Sequence, residues 1–249
     1  MRIAVAGATG NIGARTVAAL ERDGHDVVRI SRSLGVDLIT GEGLDAALEG
    51  VDAVVDAISV GPMGVDETRE YFATTTTNLL ETEQRAGVRH HVLLSIVGIH
   101  RSQAHTAHHL GKLAQERLIE AGPVPWTIVP ATQFHDYAAM VAGWTEKDGV
   151  ALIPPLLVQP IAPNDIADVL AEIVVGAPQG RYVDVAGPEV QDLVDMARRT
   201  HTAQGRSVTL VPTWEGPQGL EFAGNVLLPG DDARIAPTTF EQWLADGAR

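Results

Sequence analysis

Met1-Arg2-Ile3-Ala4-Val5-Ala6-Gly7-Ala8-Thr9-Gly10-Asn11-Ile12-Gly13 opens the chain, and here a short apolar strand runs into a glycine-punctuated turn and then a helical pattern over residues 14–22. Glycines suit such a turn. The chain reverses tightly, a pyrophosphate approaches the backbone where a Cβ would intrude, and the helix packs close to the strand. The first helical turn adds unpaired N–H groups and the positive end of the helix dipole. A strand before and a helix after are the context in which a glycine triplet reads as a dinucleotide cradle rather than an ordinary tight turn. Gly7, Thr9, Gly10, Asn11, Ile12 and Gly13 are therefore the expected cofactor-binding residues of the loop.

Outward from the loop, apolar runs of strand length recur at residues 3–6, 26–30, 53–57, 91–94 and 127–129. They alternate with helical patterns over 14–22, 66–86 and 106–121. This alternation predicts an α/β fold, a Rossmann-type doubly wound parallel sheet with helices on both faces. Gly24, Gly87 and Gly122 each stand where a left-handed C-cap would close a helix. From about Phe134 the regularity loosens. Asn164 or Asp165 can cap a helix running to Val175, and a run at 181–186, a helix over 189–204, a run at 207–211 and a terminal helix over 239–245 follow. Residues 1–133 are expected to form the dinucleotide-binding core. Residues 134–249 are expected to complete that core and add a small C-terminal substrate-side region, all within one integrated domain.

Composition narrows the function classes. A chain of 249 residues with 45% hydrophobic content can bury one large core. The formal net charge is −14 and no Lys/Arg cluster exceeds a pair, which argues against nucleic acid, because neutralising phosphates needs a basic footprint. Without cysteine, disulfides and thiolate chemistry are excluded. The first apolar run ends after a few residues in the glycine turn, unlike a signal peptide, and no segment reaches the ~18–20 consecutive apolar residues of a membrane span. A cytoplasmic protein with a small-molecule partner, and neither nucleic acid nor membrane, is the expectation; nothing in the sequence fixes the oligomeric state.

The spacing Gly7-x-x-Gly10-x-x-Gly13 with Ala8-Thr9 inside it, Ser31-Arg32-Ser33, Gly35-Val36-Asp37-Leu38, Val51-Asp52-Ala53-Val54-Val55-Asp56, residues 122–134 and Asp165-Ile166-Ala167-Asp168-Val169 together span nearly the whole chain. They resemble the extended and atypical short-chain dehydrogenase/reductase superfamily, and within it the NmrA-like NAD(P)-binding proteins. The resemblance implies that 51–56 is the fourth strand, that Asp37 and Leu38 flank the adenine, and that Ala57, Ile58 and Ser59 pass along the middle of the cofactor. An NAD site normally carries an acid after the second strand to bind the ribose hydroxyls. Here Ser31, Arg32 and Ser33 occupy that place. A guanidinium pairs with a 2′-phosphate through two parallel hydrogen bonds, where an acid would repel it. NADP(H) is thus expected over NAD(H), with Arg32 and Ser33 as contacts.

Reductases of the superfamily use a Tyr-x-x-x-Lys helix, in which the lysine holds the nicotinamide ribose and lowers the phenol's pKa. The matching stretch places Lys112 where the lysine belongs and His108 where the tyrosine would be. Residues 108 and 112 share a helix face. A nearby ammonium depresses an imidazole's pKa, leaving it a hydrogen-bond donor but a poor acid near pH 7. Ser95 closes the fifth strand, whereas the superfamily's serine falls one or two residues later, at Ile96 or Val97 here. Lys112, His108 and Ser95 are the expected catalytic residues. Gln133, Phe134, His135 and Tyr137 follow the sixth strand and are expected to wall a substrate pocket. His105 and His109 have a zinc-compatible i, i+4 spacing, but no glutamate stands between them and no cysteine is available, so no metal is expected. Two readings follow: an NADPH-dependent oxidoreductase acting on a small carbonyl, enone or quinone, or an NADP-sensing NmrA-like binding protein without turnover.

Overall fold

The computed structural model describes residues 1–61, 63–101, 106–216 and 219–247. In chain order the first elements are β1 (Arg2–Ala6), α1 (Asn11–Arg22), β2 (Asp26–Ile30), α2 (Leu44–Leu48), β3 (Ala53–Asp56), α3 (Val65–Ala86), β4 (His90–Ile96), α4 (Ala107–Ala121) and β5 (Trp126–Ala131). There follow α5 (Tyr137–Thr145), β6 (Val150–Ile153), β7 (Leu157–Val158), α6 (Pro163–Val174), β8 (Gly180–Arg181), β9 (Val185–Ala186), β10 (Gln191–Asp192), α7 (Leu193–Ala203), β11 (Thr209–Pro212), β12 (Arg234–Ile235) and α8 (Phe240–Ala245). The chain divides into two compact units, the first comprising residues 1–96, 105–130 and 166–182, the second 97–104, 131–165 and 183–249.

The first unit is the expected Rossmann-type α/β layer structure. Its strands lie side by side in the order β2-β1-β3-β4-β5, with β8 next to β5, and the registers run in parallel from Arg2↔Asp26 to Ala6↔Ile30 on one side of β1 and from Ile3↔Ala53 to Ala6↔Asp56 on the other. Every residue of β3 is buried, and so are all of β1 after Arg2 and all of β4 before Ile96. Strands covered by helices on both faces read as continuous rather than alternating apolar runs. The core between sheet and helices holds Ala4, Val54, Phe72, Leu79, Leu93, Ile119 and Ile128.

Counting strands from the superfamily fails at one place. The stretch 51–56 holds the third strand of the chain, Ala53–Asp56, rather than the fourth, because 31–43 make turns: a short 3-10 segment at Arg32–Leu34 is followed by left-handed Gly35, Gly41 and Gly43. Left-handed backbone at three positions in nine residues cannot continue a strand. The observed order is the Rossmann order 3-2-1-4-5-6 without its outermost member.

Helix ends also depart from expectation. Gly24 and Gly87 are left-handed, with φ of +81° and +76°. Gly122 instead has φ −77° and ψ 166°, since the following Pro123 disfavours helical backbone at the residue before it. Helix α6 starts at Pro163 rather than from an Asn164 or Asp165 cap, a position where the missing N–H costs nothing. Asp165 instead accepts hydrogen bonds from the backbone N–H (2.9 Å) and hydroxyl (2.8 Å) of Thr238.

The second unit pairs β6 with β11 and β9 with β12 in parallel, and β7 with β10 antiparallel. Its core gathers Val141, Ile153, Leu193, Met196, Phe222, Phe240 and Trp243. The expected strand at 181–186 resolves into two short pieces, β8 and β9. The helix expected from 189 begins only at Leu193, where the Asp192 carboxylate caps it by accepting from Asp195 N–H at 2.9 Å. Helices α2 and α5 carry no clear periodic signal and were not anticipated.

Within the first unit α3 and α4 pack closely because α4 presents Gly111. A Cβ there would lie 2.5 Å from Cδ2 of Phe72, a fully buried ring. Gly111→Ala is expected to overpack this crossing and lower stability by about 1–3 kcal/mol, read from urea unfolding; an unchanged midpoint would show that the helices separate freely.

Candidate functional site

The turn after β1 is built from bare backbone. Gly7 has φ +78°, and its N–H and that of Ala8 both donate to Ile30 O, at 3.1 and 3.2 Å. Gly10 N–H donates to Gly7 O at 2.9 Å. A Cβ on Gly7 would sit 2.8 Å from Ala57 O, and one on Gly13 only 2.1 Å from Gly7 O. Helix α1 then begins with no side-chain cap from Gly10 and no acidic residue in its first turn. An uncapped helix start beside glycine backbone is a fit for a pyrophosphate. Because β2 lies on one side of β1 and β3 on the other, Gly7 and Ala57 flank the switch point of the sheet at its carboxyl edge, the place where open α/β sheets bind ligands. Thr9, Gly10 and Asn11 are exposed there, while Ile12 and Gly13 are buried.

Beyond β2, the exposed Arg32 guanidinium has no hydrogen-bond or ion-pair partner among the described residues, while the hydroxyls of Ser31 and Ser33 pair with each other at 2.9 Å. Asp37 accepts from Ile39 N–H at 2.7 Å, which fixes the turn that buries Leu38. The Asn78 amide closes this turn from α3 by donating to Leu38 O at 2.9 Å. Tyr71, also on α3, was not anticipated. Burial raises its phenol pKa, Arg32 opposes the rise, and Asp56 and Asp37 add to it. Ile58 is buried with its N–H on Asp56 Oδ1 at 3.0 Å, and Ser59 is exposed.

Lys112 is only 4% exposed. Its ammonium donates to Leu94 O at 3.0 Å and to Gln115 Oε1 at 2.8 Å, and stands 5.1 Å from the centre of the Phe72 ring. Gln115 in turn donates to Asp56 Oδ2 at 2.6 Å. Burial pulls the Lys112 pKa down to about 8, against the attraction of Asp56 and Glu116. His108 lies on the same helix with its ring 5.9 Å from that of Phe72, edge to face. Burial first, then Lys112 and His109, lower its pKa to about 4. At neutral pH its imidazole is uncharged, as the sequence anticipates.

Ser95 points elsewhere. Its hydroxyl donates to the buried Glu116 carboxylate, whose other oxygen accepts from Arg181 at 2.6 Å. The hydroxyl therefore serves an internal ion pair. In the second unit, His135 is 1% exposed, with its ring 5.5 Å from Phe240 and 5.6 Å from Trp243 and its Nε2 3.2 Å from Thr238 O. It is buried there against these rings, and its Nδ1 has no hydrogen-bond partner among the described residues. Gln133, Phe134 and Tyr137 are half-buried, and the Gln133 side-chain oxygen is buried without a hydrogen-bond partner among the described residues. Among the described residues no group of three His, Asp or Glu side chains could hold a metal. His105 of the i, i+4 pair lies outside those residues. Among the described residues no helix is long and apolar enough to cross a membrane.

Sequence comparison agrees with the cradle. Residues 7–175 match the model of a family described as NAD(P)H-binding. A (4-alkanoyl-5-oxo-2,5-dihydrofuran-3-yl)methyl phosphate reductase of Streptomyces griseus is 29% identical over 99% of this chain and 86% of its own length. Among solved structures, a short-chain dehydrogenase/reductase superfamily protein from Agrobacterium tumefaciens with bound NAD superposes with a TM-score of 0.73 at 16% identity, covering 100% of this chain and 96% of its own. An NADPH-dependent quinone oxidoreductase from Escherichia coli, complexed with NADPH, gives 0.63 at 18% identity over 85% and 78% of the two chains. These structures share the fold.

Two left-handed glycines separate strain from contact. Gly7→Ala meets the Ala57 carbonyl, whereas Gly24→Ala meets nothing within 4 Å. Each substitution is expected to cost about 1–3 kcal/mol of stability, but only Gly7→Ala should weaken NADPH binding, by tenfold or more in calorimetry. Equal affinities in the two variants would remove the turn from the site.

Proposed function

The chain belongs to the NAD(P)H-binding family, and from that premise we propose that it is an NADPH-dependent reductase of the atypical short-chain type acting on a small enone, quinone or related carbonyl. The observation that carries this reading is the buried ammonium of Lys112, held by Leu94 O and Gln115 on the helix where the superfamily keeps its lysine. When bound, the cofactor supplies a hydride. The chain's own part is to hold, orient and exclude water. Gly7 to Gly13 take the pyrophosphate, Arg32 and Ser33 the 2′-phosphate, Asp37 and Leu38 flank the adenine, and Ala57, Ile58 and Ser59 line the middle. Lys112 has three N–H donors; two are given to the protein, and the third is left for the ribose. Gln133, Phe134 and Tyr137 are the substrate-side candidates, Gln133 through its unpartnered oxygen. Ser95 drops out of the active constellation because its hydroxyl is engaged by Glu116, and His135 because its ring is buried against Phe240 and Trp243.

Proton supply points to the acceptor. An imidazole with a pKa of about 4 donates a hydrogen bond, not a ready proton, at pH 7. That suits an acceptor whose anion is stabilised by conjugation and takes its proton from water. The Streptomyces griseus relative is named for an oxo-dihydrofuran, an unsaturated ring conjugated to a carbonyl, which supports the enone branch of the proposal.

NADPH absorbance followed with a panel of enones, quinones and simple carbonyls tests this directly. Turnover is expected with the conjugated acceptors, lost at least 100-fold in Lys112→Ala and reduced less than tenfold in His108→Phe. Micromolar NADPH binding with no turnover on any acceptor would favour instead the NADP-sensing reading, to which the absence of tyrosine at 108 lends weight. Cofactor choice has a separate readout: Arg32→Ala should weaken NADPH at least tenfold and leave NADH unchanged, and equal effects on both would refute the Arg32 assignment.

The pH dependence follows from the two shifts. The Lys112 pKa lies below its ordinary value, at about 8, so most of its charge is kept at pH 7 and half is lost near pH 8. NADPH affinity is expected to fall as pH rises through about 8. Between pH 5.5 and 7.5, His108 is already neutral and should add no break to the rate profile.

A further inference from the structure

Behind Lys112 lies a run of buried polar groups that the proposed reaction does not use. Asp56 on β3, His91 on β4, Glu83 on α3 and Gln115 on α4 are all without measurable exposure. From Lys112 the contacts continue inward. Gln115 accepts from the ammonium at 2.8 Å and donates to Asp56 Oδ2 at 2.6 Å. His91 Nε2 stands 4.0 Å from the same Asp56 oxygen, and His91 Nδ1 lies 2.9 and 3.0 Å from the two oxygens of Glu83. Basic and acidic side chains alternate along this line, with the Gln115 amide between Lys112 and Asp56. We propose that Gln115, Asp56, His91 and Glu83 are positioning residues for Lys112, a single buried line from β3, β4, α3 and α4 that fixes both the direction and the charge of its ammonium.

The polarity of the line has one consistent solution. An ionised carboxylate only accepts, and Asp56 accepts from Ile58 N–H on one oxygen and from Gln115 on the other. Gln115 must therefore turn its NH2 toward Asp56 and its carbonyl oxygen toward Lys112, where only a donor fits. On the far side, Asp56 faces the His91 ring, whose Nδ1 pairs with Glu83; burial pulls the His91 pKa down but the Glu83 carboxylate more than offsets it, and burial raises the Glu83 pKa in turn. Burying a lone charge is costly unless it is paired, so each member needs its neighbour in its present protonation state. The other charged or titratable groups facing Lys112 are Glu116, which attracts it from its own helix while bound by Arg181 and Ser95, and neutral His108 one turn before it. On α3 the Phe72 ring covers the ammonium. A buried ion cluster can also be purely architectural. What distinguishes this one is that it terminates at the one ammonium assigned to the cofactor, and the inference rests on that assignment.

Composition makes the test direct, because Lys112 and Lys147 are the two lysines of the sequence and Lys147 is exposed. In protein labelled with 13C-lysine and free of added nucleotide, the Cε resonances titrate separately, with Lys147 as internal control. Asp56→Asn keeps the shape and removes the attraction, and the Lys112 midpoint is expected to fall by one pH unit or more. Gln115→Met, a milder cut in the same line, should lower it as well, and serves if Asp56→Asn does not fold. Glu83→Gln removes the carboxylate that raises the His91 pKa, favours the uncharged ring, leaves Asp56 facing Lys112 alone, and should raise the midpoint. A Lys112 midpoint that stays put in Asp56→Asn or Gln115→Met, or that stays put or falls in Glu83→Gln, overturns the proposal. No substrate or cofactor enters the titration, so these outcomes are independent of whether any acceptor is reduced.

Discussion

Close approach of backbone to backbone at the carboxyl end of β1 is the constraint on which the first unit depends. Gly7 can lie against the Ala57 carbonyl, and Gly13 over the Gly7 carbonyl, only because neither carries a Cβ. That contact sets the distances among β1, β3 and the start of α1 together. It also couples the cradle to the buried polar line: Ala57 touches the glycine turn, while Asp56, the residue before it, takes the amide of Gln115. A strand shift that loosened one would displace the other. If Asp56 helps position Lys112 as proposed, the glycine turn and that support are two sides of one strand end.

The electrostatics of the interior follow from having placed a lysine there. Burial lowers the Lys112 pKa further than Asp56 and Glu116 can restore it. Each of those carboxylates is in turn held by other groups. Asp56 has Ile58 N–H, Gln115 and the His91 ring; Glu116 has Ser95 and Arg181. Ser95 is therefore explained without a catalytic role, by the need of a buried carboxylate for donors. The same need explains why a serine at the end of β4 does not imply the superfamily's reactive hydroxyl.

Much of the first unit was legible in the sequence because its signals are local. The glycine triplet, the apolar runs and the caps at Gly24 and Gly87 each announce themselves within a few residues. Failures arose where a neighbour in sequence or space overrode the local sign. Pro123 turned Gly122 away from left-handed backbone, and three left-handed glycines after β2 removed the strand that a family count would place there. The site divided in the same way. The spacing that sets Lys112 and His108 on one helix face is legible in the sequence, and so is part of the downward pull on the imidazole, to which burial contributes more. Asp56, Gln115, His91 and Glu83 come from four elements and share no spacing. An aspartate ending an otherwise apolar strand, and a glutamine three residues after the lysine, were the faint signs available. His135 reads as a pocket wall from its place after a strand, whereas the rings of Phe240 and Trp243 that lie against it are not legible from the sequence.

Histidine at position 108 changes the chemistry more than it diminishes it. A phenol beside an ammonium can be tuned to release a proton, because the positive charge stabilises the phenolate. The same ammonium beside an imidazole works in the opposite sense, for it destabilises the charged form that must exist before a proton can be given. Burial adds to this, and a pKa of about 4 results. In the proposed reaction the helix would therefore keep a donor able to orient an acceptor's oxygen but not to protonate it at neutral pH. An isolated carbonyl reduced to an alkoxide needs that proton at once. A conjugated acceptor spreads the charge and can wait for water. If Lys112 holds the cofactor as proposed, the exchange of tyrosine for histidine selects among acceptors by the basicity of the anion they form, so specificity here would reside in the missing acid as much as in the shape of any pocket.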